Sequence, residues 1–337
     1  MLKILYIGNN LQKKGRTTST IDSLGKLLEA RYKVYYASSI NNKFFRLMHM
    51  LFSVIKRRKV NVVLIDTYST FNFYYAYLVS LFCRMLRLPY IPILHGGNLP
   101  NRILQSPKMS TAVFKNAVTN VSPSKYMLEA FENLGYDNVT YIPNNIELDH
   151  YQYRSRSEVQ PKLLWVRSFS SIYNPTMAVE VLKILLDKGY EASLCMVGPE
   201  KDGSLEATKE KAKALGVEVT FTGKLTKEEW IKRSEDHDIF VNTTNFDNMP
   251  VSVIEAMALG LPVVSTKVGG IPFLLEDGKD AMLVAPHDKI AMAAAVEELV
   301  SRPDIVKSIT GHARTKAETF DWQTIKNQWF KLLDDVA

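Results

Sequence analysis

The 337-residue sequence has only two cysteines, Cys83 and Cys195, far apart and each inside an apolar run. That excludes a disulfide framework or a cysteine-rich metal site and predicts two buried, reduced thiols. Long apolar runs are missing too. Phe73 to Cys83 is the longest, stops at Arg84, and falls short of a bilayer span. The opening run Leu2–Ile7 is too short for the core of a secretory signal and reads as a first strand ending at Gly8. No low-complexity tract is present, and the glycines and prolines are scattered, so extended disorder is not expected. The first strand leads into Gly8-Asn9-Asn10 instead of a G-x-G-x-x-G turn, which argues against a nicotinamide dehydrogenase.

Acidic residues are scarce in the first half. Residues 1–150 hold 19 Lys/Arg against 8 Asp/Glu, a balance of +11. The remainder keeps 23 of the 42 basic and 27 of the 35 acidic residues, a balance of −4. A basic half suggests an anionic partner such as a membrane, a phosphate-rich lipid or a nucleic acid. The stretch Lys43–Lys59 (KFFRLMHMLFSVIKRRK) combines bulky apolar residues with six Lys/Arg, four of them consecutive at its end. A basic amphipathic helix of this kind suits an anionic membrane surface. A core helix with a solvated charged end would have the same composition. The net charge tilts the expectation to the membrane. No nucleic-acid partner is expected, because no recognisable binding module accompanies the basic residues.

The length suits two domains better than one core. Strands are expected at Lys3–Ile7, Lys33–Ala37, Val62–Asp66, Tyr90–Leu94, Val118–Val121 and Thr140–Ile142, with helical stretches around Thr18–Arg31, Phe44–Lys59, Phe73–Arg87 and Lys125–Leu134. His150 to Lys162 is polar and lacks a periodic apolar face, so it reads as a linker. A second series of strands follows, at Leu163–Val166, Ala192–Val197, Glu218–Thr222, Ile239–Asn242, Pro262–Ser265 and Ala281–Val284. The expected fold is α/β: two Rossmann-like doubly wound domains facing each other, with ligand at the carboxyl ends of the strands in a shared cleft. The expected boundaries are 1–149, a linker at 150–162, 163–320, and a C-terminal helix over 321–337 crossing back to the first domain.

The most informative segment runs from Phe246 to Leu283 (FDNMPVSVIEAMALGLPVVSTKVGGIPFLLEDGKDAML). It reads as loop, helix, stop, strand and glycine loop. Pro250 is tolerated in a helix's first turn, Gly260 ends the helix, and Pro262 prevents its resumption. The free N–H groups near Val251 and Ser252, at the positive end of the helix dipole, make an anion site suited to a diphosphate. Glu255 follows about one turn on, where its carboxylate can accept hydrogen bonds from ribose hydroxyls.

This segment resembles the retaining glycosyltransferases of family 4, which have the GT-B architecture. The shared signature is an acidic residue, seven intervening residues and a Glu, then an E-A-M/L-A-x-G-x-P-V-V run. Here it is Asp247, Glu255 and Ala256 through Val264. Gly269-Gly270-Ile271-Pro272, Asp277-Gly278, Val197-Gly198-Pro199, Phe221-Thr222-Gly223, Val121-Ser122-Pro123-Ser124, Ile142-Pro143-Asn144-Asn145 and Phe320-Asp321-Trp322 agree with it. The resemblance implies a nucleoside-diphosphate sugar as donor. Glu255 would bind its ribose, and Asn248, Met249, Pro250 and Val251 would present backbone to its diphosphate and sugar. Asp247 and His95 would face the transferred sugar, and Arg167 the diphosphate, where a planar guanidinium suits phosphate oxygens. His95 could instead be a strand-end histidine with a structural hydrogen bond, and Arg167 an ordinary strand-end arginine.

Three departures stand out. Asp247 occupies a position where the family commonly has Glu. The family's lysine five positions after the arginine is replaced by Ile172, followed by Tyr173 and Asn174. The first glycine loop, Lys13-Lys14-Gly15-Arg16-Thr17-Thr18-Ser19, leaves Gly15 as a donor contact or a plain turn, with a hydroxyl of Thr17, Thr18 or Ser19 capping the next helix. Asp236-His237-Asp238 looks like a metal-binding D-x-D, but it precedes a strand, where acidic residues commonly flank the turn. The expectation is therefore metal-independent transfer to a glycan or lipid-linked acceptor, with no cofactor. A cytoplasmic location is expected, with the inner face of the cytoplasmic membrane as a peripheral site. The alternatives are a nucleoside-diphosphate-sugar epimerase and a nucleotide-sugar-binding protein without turnover.

Overall fold

The computed structural model of the chain describes residues 1–11 and 19–336. These form two compact units, Met1–Pro143 with Lys326–Ala337, and Asn144–Ile325.

The first unit runs β1 (Lys3–Ile7), α1 (Thr20–Leu28), β2 (Lys33–Ala37), α2 (Lys43–Lys56), β3 (Val62–Thr67), α3 (Asn72–Met85), β4 (Tyr90–Leu94), α4 (Leu99–Gln105), α5 (Pro107–Phe114), β5 (Asn120–Ser122), α6 (Lys125–Asn133) and β6 (Val139–Tyr141). Its six strands pair in the order β2-β1-β3-β4-β5-β6, all parallel. Every residue of β3 is buried, as expected of a strand covered on both faces. Leu5, Ile7, Val63 and Ile65 of the sheet pack with Met50 and Val54 of α2 and Ala76, Val79 and Cys83 of α3. Strand order reverses between β1 and β3, so their carboxyl ends, Gly8 and Asp66-Thr67, flank the point where doubly wound sheets take ligands. Ser19 caps α1, and the Asp22 carboxylate accepts hydrogen bonds from its N–H and hydroxyl.

The second unit runs β7 (Lys162–Val166), α7 (Pro175–Asp187), β8 (Ser193–Val197), α8 (Ser204–Leu215), β9 (Thr220–Gly223), α9 (Lys227–Ser234), β10 (Ile239–Asn242), α10 (Val251–Ala258), β11 (Val263–Thr266), α11 (Ile271–Leu274), β12 (Met282–Val284), α12 (Lys289–Ser301) and α13 (Pro303–Glu318). A last helix, α14 (Trp322–Val336), follows; Trp322 N–H donates to the Ile146 carbonyl, and residues from Lys326 group with the first unit. The sheet order is β12-β11-β10-β7-β8-β9, parallel throughout. Here the order reverses between β7 and β10.

One expected boundary needs correction. Residues 150–162 are no linker: they lie inside the second unit, which begins at Asn144. Tyr151 and Arg156 are buried. The Arg156 guanidinium donates to the carbonyls of Leu259, Gly260 and His237. Such partners lie 81 to 104 positions away, so they leave no local periodicity for the sequence to reveal. Helices α4, α5, α11 and α13 likewise have no counterpart among the expected elements. Cys83 and Cys195 are both buried and unbridged, and burial pushes the Cys83 thiol up to about 12. Among the described residues, no helix is long and apolar enough to cross a membrane.

Candidate functional site

Arg167 follows β7 at the reversal point of the second sheet. Its N–H donates to the Val197 carbonyl at 3.0 Å, tying it to the end of β8. The segment after it is stitched to the end of β10: Asn245 N–H donates to Ile172 carbonyl at 2.7 Å, and the Thr243 hydroxyl to Tyr173 carbonyl at 2.8 Å. Trp165 Nε1 in turn donates to the Thr243 hydroxyl at 3.0 Å. On this frame the Arg167 guanidinium forms an ion pair with the Asp247 carboxylate and stacks 4.5 Å from the centre of the Tyr173 ring. The aromatic ring thus supports the arginine in the stretch where the family's lysine is missing. Arg167 Nε is buried and has no hydrogen-bond partner. Burial pushes the Arg167 pKa down, partly offset by Tyr173 and Glu255; a guanidinium still keeps its charge at neutral pH.

Three residues beyond Asp247, Pro250 caps α10. Val251 and Ser252 open the helix, so their N–H groups have no acceptor within it. The Ser252 hydroxyl is buried without a partner. The loop leading in is held from two sides. Asn144 Nδ2 donates to the Met249 carbonyl at 3.0 Å, and Gly270 N–H to the Asp247 carbonyl at 2.9 Å. A Cβ at Gly270 would collide with the Asn248 carbonyl, and one at Gly269, where φ is +52°, with that of Asp247. The Gly-Gly pair is therefore needed so that the 269–270 turn can pack against the acidic loop.

Glu255 is buried one turn into α10 and is already engaged. Its Oε1 accepts from the Tyr151 hydroxyl at 2.6 Å and pairs with Lys227 Nζ at 2.9 Å. Burial and the adjacent Glu255 charge push the Tyr151 pKa far up, so its proton stays on the phenol. At the other end of α10, Arg314 Nη1 donates to Ala258 carbonyl at 2.7 Å, joining Arg156 on those of Leu259 and Gly260. Two cations thus satisfy the negative end of a helix whose positive end lies at the site.

Arg167, Asp247, Asn248, Met249, Pro250, Val251 and Glu255, all singled out from sequence, fall in this one region of the second unit. Sequence reasoning missed Tyr151, Lys227, Arg156 and Arg314, each of which acts across a long sequence separation, and it missed the stacking of Tyr173 on nearby Arg167. His95 lies in the first unit, just after β4. Its Nε2 is 3.0 Å from Asp66 Oδ1, which also accepts from the Tyr6 hydroxyl at 3.0 Å. A structural hydrogen bond is thus present there. Gly96 does allow close approach, but to the chain itself: a Cβ there would strike the backbone of Tyr68 and Ser69. Gly15 lies outside the described residues. In Asp236-His237-Asp238, Asp238 accepts from Gln160 N–H at 3.2 Å, and His237 Nδ1 is 2.8 Å from Arg233 carbonyl. Among the described residues, no group of three His, Cys, Asp or Glu side chains is arranged to hold a metal ion.

Comparison with known proteins agrees with this geometry. Residues 160–302 match the family model of the glycosyl transferases group 1. That segment is similar to the group 1 glycosyltransferases. A sulfoquinovosyl transferase from Arabidopsis thaliana is 31% identical over 149 residues, 43% of this chain and 28% of that protein. A D-inositol 3-phosphate glycosyltransferase from Corynebacterium jeikeium is 27% identical over 225 residues, 60% of this chain and 54% of that one. The chain therefore spans between about a quarter and about half of the length of these two relatives. An Anabaena protein solved with UDP and glucose shares the fold, with a TM-score of 0.78 at 16% identity, over 99% of this chain and 100% of that one. Two six-stranded parallel sheets flanked by helices give the chain the GT-B fold.

Proposed function

We propose that the protein transfers a sugar, with retention of anomeric configuration, from a nucleoside-diphosphate sugar to a glycan or lipid-linked acceptor. The observation that carries this reading is a preformed anion site. An arginine whose buried Nε is unpaired and a buried, unpaired Ser252 hydroxyl lie at the sheet reversal and the start of α10. Unpaired donors in a water-poor place are costly unless an anion completes them. A diphosphate supplies the acceptor oxygens, and the helix dipole adds favourable charge.

In this reading the N–H groups of Val251 and Ser252, the Ser252 hydroxyl and Arg167 stabilise the charge that builds on the leaving diphosphate. Glu255 meets both Tyr151 and Lys227 through Oε1, and its other oxygen accepts ribose hydroxyls. Asp247 hydrogen-bonds the transferred sugar. The bond from the anomeric carbon to the diphosphate oxygen breaks as the acceptor oxygen bonds to the same face. The acceptor proton passes to the departing diphosphate. No metal is assigned a part.

A thermal-shift screen of nucleotide sugars tests donor binding. A cognate donor at about 100 times its Kd should stabilise the fold by roughly 2.7 kcal/mol. Transfer assays with that donor should be unaffected by chelator. If no nucleotide sugar stabilises the protein, or if chelator abolishes turnover and Mn²⁺ or Mg²⁺ restores it, this reading fails. Epimerised sugar formed without any acceptor would replace it with an isomerase.

A further inference from the structure

The outward face of α2 is apolar. Phe44, Met48, Phe52 and Ile55 recur at helical spacing, and with Phe45 they are 47–65% exposed. The other side, with Arg46, Met50, Ser53 and Val54, is buried. A helix that is apolar all round belongs in an interior, yet five bulky apolar side chains of this one are exposed. The patch continues onto the start of α3 through exposed Phe71 and Tyr74. Lys43 Nζ lies 5.6 Å from the Phe71 ring centre, and the Tyr75 hydroxyl donates to the Lys43 carbonyl at 3.0 Å, joining the two helices.

The charge around this patch has one sign. From residue 30 to residue 128 there are 14 Lys/Arg and one acidic residue, Asp66. Asp66 is buried with Tyr6 and His95 and cannot balance the surface. Lys43 is exposed at the start of α2, and Lys56, Arg58 and Lys59 at its end. Among the described residues, none of these four pairs with a carboxylate. Lys56 Nζ sits 5.9 Å from the Phe52 ring and the Arg57 guanidinium 3.9 Å from that of Tyr35, so cations and aromatics are interleaved.

We infer that this face docks on an anionic lipid bilayer, with α2 lying in the interface. Phenylalanine, methionine and isoleucine side chains enter the boundary between headgroups and acyl chains, while Lys and Arg stay at the level of the lipid phosphates. Pairing with a second copy would set two basic patches face to face, and like charges oppose that. The inference goes beyond the proposed transfer reaction and does not depend on it.

The test is sedimentation of the full chain with phosphatidylcholine vesicles, with and without phosphatidylglycerol. Binding should require phosphatidylglycerol and weaken as salt rises. Replacing Lys56, Arg57, Arg58 and Lys59 by Ser should weaken it about tenfold or more. Phe44→Ser with Phe52→Ser should also weaken it while leaving the nucleotide-sugar thermal shift unchanged, which shows that the variant is folded. In Phe45→Trp, emission should shift to shorter wavelength on binding and be quenched by lipids with brominated chains. No binding at low salt, or equal binding to neutral vesicles, overturns the inference. Binding of the Phe45→Trp variant without any change in its emission overturns insertion, and a dimer by light scattering that ignores vesicles assigns the patch to a second copy.

Discussion

Glu255→Gln keeps the size of a buried side chain and removes its charge. The charged acceptor that strengthens ribose hydrogen bonds is lost, as is the pair with Lys227. Donor affinity should fall by about 1–3 kcal/mol, read by calorimetry; unchanged affinity would remove Glu255 from the donor site. Asp247→Asn should behave differently, because Asp247 is paired with Arg167. Releasing the arginine should leave binding of bare nucleoside diphosphate unchanged or tighter, while transfer falls on the order of 10²-fold. Equal loss of both would mean that Asp247 serves the diphosphate. The spacing of Asp247 and Glu255 was legible in the sequence because both lie on one short loop and helix. Tyr151 and Lys227 were not. They meet Glu255 through contacts spanning 104 residues in one case and across from the start of α9 in the other, and no local pattern encodes such meetings.

At the scale of elements, α10 depends on groups outside itself. Its last carbonyls are satisfied by Arg156 and Arg314. Arg156 is itself held down to about 10 by burial, with Arg154 adding to the effect. Arg156→Ala would strand buried carbonyls and empty the space that the side chain fills. Unfolding in urea should show a loss of about 2–3 kcal/mol, together with weaker donor binding as the start of α10 loosens. A variant with wild-type stability would show that water replaces the guanidinium. Alternating strands and helices were readable because each strand of a covered parallel sheet is a short apolar run, as in β3 and β10. The segment from 150 to 162 reads as a linker for the opposite reason. Its structure comes from Tyr151 and Arg156 reaching distant partners, while its own composition is polar.

For the whole molecule, stability should depend on acid through the turn before β10. Burial lowers the His237 pKa, against weaker pulls upward from Arg233 carbonyl and Asp236. The unfolded chain takes up this proton near its ordinary pKa of about 6.5, before the folded chain does. Stability is therefore complete above that pH and declines as pH falls below it. His237→Asn should flatten the fall in Tm between neutral and mildly acidic buffer; an identical slope would show that other groups set it. The two-unit organisation was foreseeable from two strand series, and the basic character of residues 1–150 from composition alone. The sequence could not show which side of α2 the protein leaves uncovered. That exposed aromatic face has a kinetic consequence. A protein held at a surface searches in two dimensions, and an acceptor embedded in the same bilayer is met at an effective concentration set by its density in that plane. Turnover on a lipid-linked acceptor should then follow the mole fraction of acceptor in the vesicle rather than its bulk concentration. Adding inert lipid at constant bulk acceptor should slow the reaction, and the α2 variants that no longer bind vesicles should lose that dependence.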